Sequence, residues 1–248
     1  MKHTDSAIEV QNLVKKFGSF TANDNLTFNV HKGEIFGFLG ANGAGKTTAI
    51  KILCGLSAPS SGRVSVAGFD VYKETEKIKQ NIGYMSQKFS LYPDLTVKEN
   101  IRLYGGIYGL KRSTIRKRTD ELLQTLNMGP YKDKLIASLP LGWMQKLAFS
   151  VALFHHPAIV FLDEPTGGVD PVTRRQFWEM IYAAAENGVT VFVTTHYMDE
   201  AEYCNRVSIM VDGRIEALDT PETLKKQHDA ENIEEVFIKL ARKSHYQG

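Results

Sequence analysis

Apolar residues recur along this chain with two periods, and the changes of period mark its parts. Ala7-Ile8-Glu9-Val10-Gln11-Asn12-Leu13-Val14 and Leu26-Thr27-Phe28-Asn29-Val30 alternate apolar with polar side chains, which predicts strands. Turns are expected at Lys15-Lys16-Phe17-Gly18 and His31-Lys32-Gly33. Glu34–Leu39 is an apolar run of strand length, followed after eight residues by helical spacing in Thr48–Cys54. Gly62–Gly68 and Ile82–Ser86 read as further short strands. Helical spacing then dominates from Leu95 to Leu153, broken at Gly105-Gly106, Gly109, Gly129-Pro130 and Pro140. Thr96 and Glu99 have the spacing of a capping box at its start. Ala158–Leu162 and Val189–Thr195 are continuously apolar, as strands buried in a parallel sheet are. Arg174–Glu186 reads as a helix, and Val207–Val211 with Arg214–Ala217 as a hairpin around Asp212-Gly213. From Pro221 the chain is helical and polar, with Val236, Phe237, Ile238 and Leu240 as an apolar stripe.

This order predicts an α/β fold. A core with an antiparallel β part is expected over 1–87 and 151–217, an all-helical insertion over 88–150, and a helical tail over 218–248. In such sheets ligands gather at the carboxyl ends of the parallel strands, and three of these ends carry chemistry. The first is Gly40-Ala41-Asn42-Gly43-Ala44-Gly45-Lys46-Thr47, which fits G-x-x-x-x-G-K-[ST] between a strand and a helix. Gly43 and Gly45 let the backbone wrap its N–H groups around an anion, and the helix that follows adds its dipole. Lys46 is expected on the β- and γ-phosphates, the Thr47 hydroxyl on Mg²⁺, and Thr48 beside them. After Leu162, Asp163 suits a Mg²⁺ ligand and Glu164 can orient or deprotonate a water. After Thr195, His196 can touch a γ-phosphate. Together these are the parts that phosphoanhydride hydrolysis needs.

Composition narrows the setting. The 248 residues give ample material for a core, and 30 basic against 28 acidic residues leave a net charge of +2, no electrostatic case for nucleic acid. Cys54 and Cys204 have no zinc-like spacing and read as buried thiols. Met1-Lys2-His3-Thr4-Asp5 opens no signal peptide, and no apolar run has the length to cross a bilayer, so any membrane-spanning part is expected on another polypeptide. His155-His156 would point to different faces of a helix and are no metal pair. Arg174-Arg175 offers a phosphate or partner contact, or simply a solvated helix start. Tyr92, Tyr104 and Tyr108 could form a groove for a partner's helix, or ordinary core.

Nearly end to end, the chain resembles the nucleotide-binding subunit of an ATP-binding-cassette (ABC) transporter. The resemblance implies a P-loop NTPase (RecA-like) core and assigns Phe17 to stacking on adenine. It assigns Gln87 to a link between the Mg²⁺ site and the helical part, and Asp163-Glu164-Pro165-Thr166 to the Walker B segment with its catalytic glutamate. Gly167-Gly168-Val169-Asp170 matches the D-loop and His196 the switch histidine. Leu91–Asn100 and Thr194–Glu202 are most similar to ABC-2 type exporters, often of drugs. The resemblance implies ATP and Mg²⁺ as cofactors, an integral membrane permease, a homodimer or heterodimer with a second ABC ATPase, and a place on the cytoplasmic face of the membrane.

One stretch departs from the family. Its signature loop, Leu-Ser-Gly-Gly-Gln or a near relative, is here Leu139-Pro140-Leu141-Gly142-Trp143. Pro140 has neither hydroxyl nor N–H, although proline suits a helix's first turn. Either Leu139–Gly142 is a working variant on nucleotide, or the chain pairs with a subunit whose regular signature completes its site. A low-turnover regulatory cassette and a soluble ABC ATPase outside transport remain as alternatives.

Overall fold

The computed structural model describes residues 6–87 and 91–247; the Met1–Asp5 opening, the expected insertion boundary at Lys88 and the last residue of the tail lie outside them. In chain order the elements are β1 (Ser6–Phe17), β2 (Phe20–His31), β3 (Ile35–Gly40), α1 (Lys46–Leu53), β4 (Ser61–Val66), β5 (Phe69–Asp70), α2 (Thr75–Asn81) and β6 (Ile82–Met85). Then follow α3 (Val97–Ile107), α4 (Arg112–Thr125), α5 (Leu141–Ala152), β7 (Ile159–Asp163), α6 (Pro171–Glu186) and β8 (Thr190–Thr195). The chain closes with β9 (Arg206–Val211), β10 (Arg214–Asp219), α7 (Pro221–Gln227) and α8 (Ile233–Gln247).

Two sheets carry the fold. One has the order β10-β9-β3-β8-β7-β6, with β9 through β6 parallel and β10 antiparallel at the edge. The other, β2-β1-β4-β5, is antiparallel. The α/β expectation is met, and the strand parity explains how. On β3, β7 and β8 the aromatics Phe36, Phe38, Phe161 and Phe192 face the antiparallel sheet and α1. There Phe28 of β2 stacks with them at centroid distances of 5.8, 5.6 and 6.3 Å to Phe36, Phe38 and Phe192. The alternate residues Leu39, Val160, Leu162, Val191 and Val193 face the other side, sharing a cluster with Phe149 of α5 and Phe177 of α6. Both faces are covered, so these strands read as unbroken apolar runs.

Three local differences from the sequence reading have simple causes. The first strands are not short: β1 and β2 each run 12 residues, with irregular register that lets them twist over the parallel sheet. Of the turn expected at Lys15–Gly18 only Gly18 turns, with a φ of 60° and Ser19 after it, because Phe17 and Phe20 pair across the hairpin. Helix α2 is polar except for buried Ile78, too weak a stripe for a periodicity reading. The α3 capping box is formed as expected, with Glu99 N donating to Thr96 Oγ1 and Thr96 N to Glu99 Oε2. The helices from α3 to α5 bury Val97, Ile101, Leu123 and Leu147 in the same cluster as the sheet. They share the sheet's core, without one of their own.

Candidate functional site

The site begins where β3 ends. After Gly40 the chain turns through Ala41–Ala44 and enters α1 from Gly45, whose φ is 102°. A Cβ on Gly45 would stand 2.2 Å from the carbonyl oxygen of Ala22, so only glycine fits. Asn23 of β2 donates to the Gly45 carbonyl at 3.1 Å and holds the loop from outside. No side chain caps α1, which leaves its first amides to an anion.

Three side chains close over this helix start. The Lys46 ammonium, almost fully buried, donates to the carbonyls of Gly40 at 2.8 Å and Ala41 at 3.1 Å. It also lies 3.3 Å from Glu164 Oε1. Thr47 Oγ1 donates to Asp163 Oδ1 at 3.4 Å, and Thr194 Oγ1 donates to the same oxygen at 2.7 Å. Strand β8 lies between β3 and β7, so Thr194 at its carboxyl end reaches the carboxylate of Asp163, the last residue of β7. Burial pushes the Asp163 carboxyl above its usual range and the Glu164 charge adds to this, against the hydroxyls of Thr194 and Thr47 and the Lys46 charge.

Glu164 stands at the centre. Its φ of 50° is in the left-handed region, which costs a non-glycine residue about 1–3 kcal/mol and persists only where the surroundings hold it. The hold is visible: its amide donates to both the carbonyl and the hydroxyl of Thr194, each at 3.1 Å. Gln87 Nε2 donates to its carboxylate at 2.9 Å, and His196 Nδ1 lies 3.0 Å from the same oxygen, Oε2. A carboxylate there accepts the proton of Nδ1, which fixes the tautomer of the ring.

The side chains bound a hollow of about 320 Å³ lined by Asn42, Gly43, Lys46, Thr47, Thr48, Gln87 and Glu164. From the hairpin tip Phe20, and not Phe17, joins the lining. Both rings are exposed, and Phe17 carries Lys15 Nζ at 4.8 Å from its centroid. A larger groove of about 650 Å³ runs between α4 and the ends of α5 and α6, lined by Arg118, Glu121 and His156 among apolar residues, and holds no glycine loop at a helix start. Chemistry and not volume picks out the smaller hollow. It can hold a chain of phosphates against a helix start, with a carboxylate poised to orient water. Among the described residues no three His, Cys, Asp or Glu side chains form a metal cage. Thr47 and Asp163 nonetheless offer adjoining hard oxygens, which suit a Mg²⁺ that keeps phosphate and water ligands.

The Leu139–Gly142 loop lies elsewhere, and none of it lines the hollow. Pro140 stands at the N-cap of α5, one position before the first turn expected for it, and its carbonyl accepts from the amides of Trp143 and Met144. Leu139 is buried, and Gly142 faces α6 so closely that a Cβ would meet the Thr173 methyl at 2.6 Å. Trp143 packs on Tyr131 at 5.5 Å, within its own helical region.

The remaining candidates resolve into structure. His155 stacks on Tyr108 at 3.7 Å, and burial pushes its pKa down to about 4, while His156 is exposed. Cys54 and Cys204 are buried thiols whose pKa burial raises. Arg175 is solvated, but Arg174 turns inward beside Glu200. The sequence reading named Thr166, Thr194 and Glu200 only inside matched segments and gave none of them a role of its own. A threonine pair ending an otherwise apolar strand was the available signal for Thr194.

Comparison with known proteins agrees with this geometry. The ABC transporter family model matches residues 23–167. The chain is 46% identical over 241 residues to the probable multidrug ABC transporter ATP-binding protein YbhF of Escherichia coli, covering 95% of this chain but 42% of that one. It thus spans about two fifths of that relative's length. It is 35% identical to the linearmycin resistance ATP-binding protein LnrL of Bacillus subtilis, covering 93% of this chain and 75% of that one. Among solved structures, an ATP-binding subunit of an ABC transporter superposes with a TM-score of 0.85 at 28% identity, over 95% of this chain and 99% of that one. A dimeric cassette in a post-hydrolysis state bound to ADP and Pi superposes with a TM-score of 0.77 at 28% identity, over 86% and 98%.

Proposed function

The chain belongs to the ABC transporter family, and from that premise we propose that it is the ATP-hydrolysing engine of an ABC-2 type exporter of drug-like molecules. The observation that carries the reading is Glu164, held at a strained φ by Thr194 and met by Lys46, Gln87 and His196 at the mouth of a phosphate-sized hollow. The names of the E. coli and B. subtilis relatives support drug export.

In this reading the amides of Gly43 to Thr48 and the Lys46 ammonium receive the triphosphate. Thr47, Asp163 and the carbonyl oxygen of Gln87 would hold Mg²⁺, which when bound neutralises phosphate charge. Gln87 already gives its amide N–H to Glu164, so one side chain links the two groups. Glu164 orients the attacking water and takes its proton; His196 keeps the carboxylate aimed and reaches the γ-phosphate. Phe17 or its neighbour Phe20 supplies a face for the base. Two cassettes, alike or different, close around ATP with the α5 start of one over the hollow of the other, and the fold's likeness to a dimeric cassette supports this arrangement.

Among the described residues no helix is long and apolar enough to cross a membrane. In this reading the pathway belongs to a permease, as the resemblance to transporter ATPases suggests, and this chain sits against it as a peripheral subunit on the cytoplasmic face. Its docking groove is the ladder Tyr92, Tyr104 and Tyr108, whose centroids are 6.4 and 6.2 Å apart and whose outermost ring is exposed. A low-turnover regulatory cassette is the second reading, favoured by Pro140, which removes a hydroxyl and an N–H from the α5 start, and by Leu141, which adds bulk there. ATP turnover against protein concentration, with Glu164→Gln as the blank, separates the two. Turnover per chain that climbs with concentration supports a productive homodimer. A rate at the blank's level, also with the permease present, overturns the engine reading.

A further inference from the structure

Behind His196 lies an ionic cluster built on one buried carboxylate. Glu200, in the 3₁₀ turn Met198–Tyr203, is fully buried. Its Oε1 accepts a hydrogen bond of 2.5 Å from the Thr166 hydroxyl, while Oε2 has no hydrogen-bond partner. Arg174, in the first turns of α6, reaches this carboxylate with Nε at 3.7 Å, too far for a hydrogen bond, and Nε too is buried without one. The same guanidinium lies 3.5 Å from Asp199 and sits 4.3 Å above the centroid of the Tyr197 ring. Tyr197 packs on the His196 ring at 4.2 Å, and His196 touches Glu164. Three contacts in a row thus run from Arg174 at the start of α6 to the carboxylate in the hollow.

We propose that Arg174 is a positioning residue for ATP hydrolysis, clamping Tyr197 and Glu200 so that His196 stays against Glu164. The placement gives the clamp a direction. Arg174 follows Gly167–Asp170 by one helical turn, and Thr166 precedes that segment, so Glu200 is gripped from both of its ends. Movement of the Gly167–Asp170 loop, through which a second cassette would be felt, therefore moves the histidine. A buried carboxylate facing an arginine tolerates the loss of that arginine badly, because the remaining charge is left uncompensated. Arg175 is the natural control: one residue on, it is solvent-exposed and meets only Glu179, at 3.9 Å.

The proposal rests on the ATPase reading, and its test keeps the two apart. Turnover and ATP affinity are measured for Arg174→Ala, Arg174→Lys and Arg175→Ala, each with and without His196→Ala. Arg174→Ala should lower kcat about tenfold while KM moves less than twofold, Lys should restore part, and Arg175→Ala should change neither. On the His196→Ala background Arg174→Ala should cost nothing further; a fully additive loss overturns the clamp. Tyr197→Leu removes the relay without the buried charge and should repeat the kcat loss even where Arg174→Ala folds poorly. A wild-type rate no higher than that of Glu164→Gln breaks the ATPase reading instead. The clamp is then decided by the His196 ring resonance in an NMR spectrum, assigned with His196→Ala. That resonance should shift in Arg174→Ala and hold in Arg175→Ala, and an unmoved resonance in Arg174→Ala overturns the proposal.

Discussion

Two helices in this protein begin at loops that the family devotes to phosphate, and they are built in opposite ways. Helix α1 starts inside a hollow, from a glycine that nothing larger could replace, with Lys46, Thr47 and Glu164 converging on its first turn. Helix α5 starts at Pro140, near the surface and against α6, and brings no polar side chain within its first three residues. Both have a dipole and unpaired amides. A helix start alone is therefore a weak anion site, and what distinguishes α1 is the set of groups that the parallel sheet delivers to it. The α5 start has no such set, which fits a loop whose ligand is held by a second cassette.

The comparison breaks first at Glu164. Glu164→Gln should lower turnover by about 10²–10⁴-fold, the range of a lost general base, while ATP affinity stays within a few-fold in an equilibrium binding assay. Lys46→Ala should do the reverse, weakening ATP binding about 10–100-fold through the loss of a charged contact of roughly 1.5–3 kcal/mol. Equal effects of the two on binding would mean that the hollow does not divide chemistry from affinity as its geometry implies. At the other helix, restoring a regular loop with Pro140→Ser and Leu141→Gly should raise the turnover of a homodimer, by up to about tenfold for one recovered phosphate contact. The ATP affinity of the monomer should stay unchanged, because the loop lies outside the hollow. Unchanged turnover would point to a partner cassette that supplies its own signature.

Smaller effects should appear in stability. The folded state holds the Asp163 carboxyl above its ordinary range through burial, so its ionised form weakens the fold at neutral pH. Asp163→Asn should raise Tm at pH 7 in a thermal melt, because the substituted side chain carries no charge to bury. That gain should vanish below the usual aspartate range near pH 4, where the wild-type group is protonated in both states. His155 has the opposite sign in effect. Folded, it titrates at about 4; unfolded, it takes a proton near 6.5, so stability falls as the pH drops from about 6.5 to 4. His155→Phe keeps the stack on Tyr108 and should flatten that part of a Tm-against-pH curve.

The sequence by itself determined the phosphate loop, the two carboxylates where β7 ends, the histidine after β8 and the layout of sheet and helices. Each of these rests on a spacing or a period that local chemistry imposes: glycines where the backbone must wrap, lysine and threonine where a helix begins, apolar runs where both faces of a strand are covered. Only the tertiary structure decided which side chains hold these groups in place. Thr194 meets Asp163 because β8 lies between β3 and β7, an order no local signal encodes. Phe20 borders the hollow and Phe17 does not, a difference between two residues paired across the Gly18-Ser19 turn that only the folded hairpin shows. Glu200, Thr166 and Arg174 come from three separate elements and meet only when the sheet is assembled. Residues that touch the ligand lie in contiguous motifs, while those that support them are set by strand order and packing, which a linear pattern does not record.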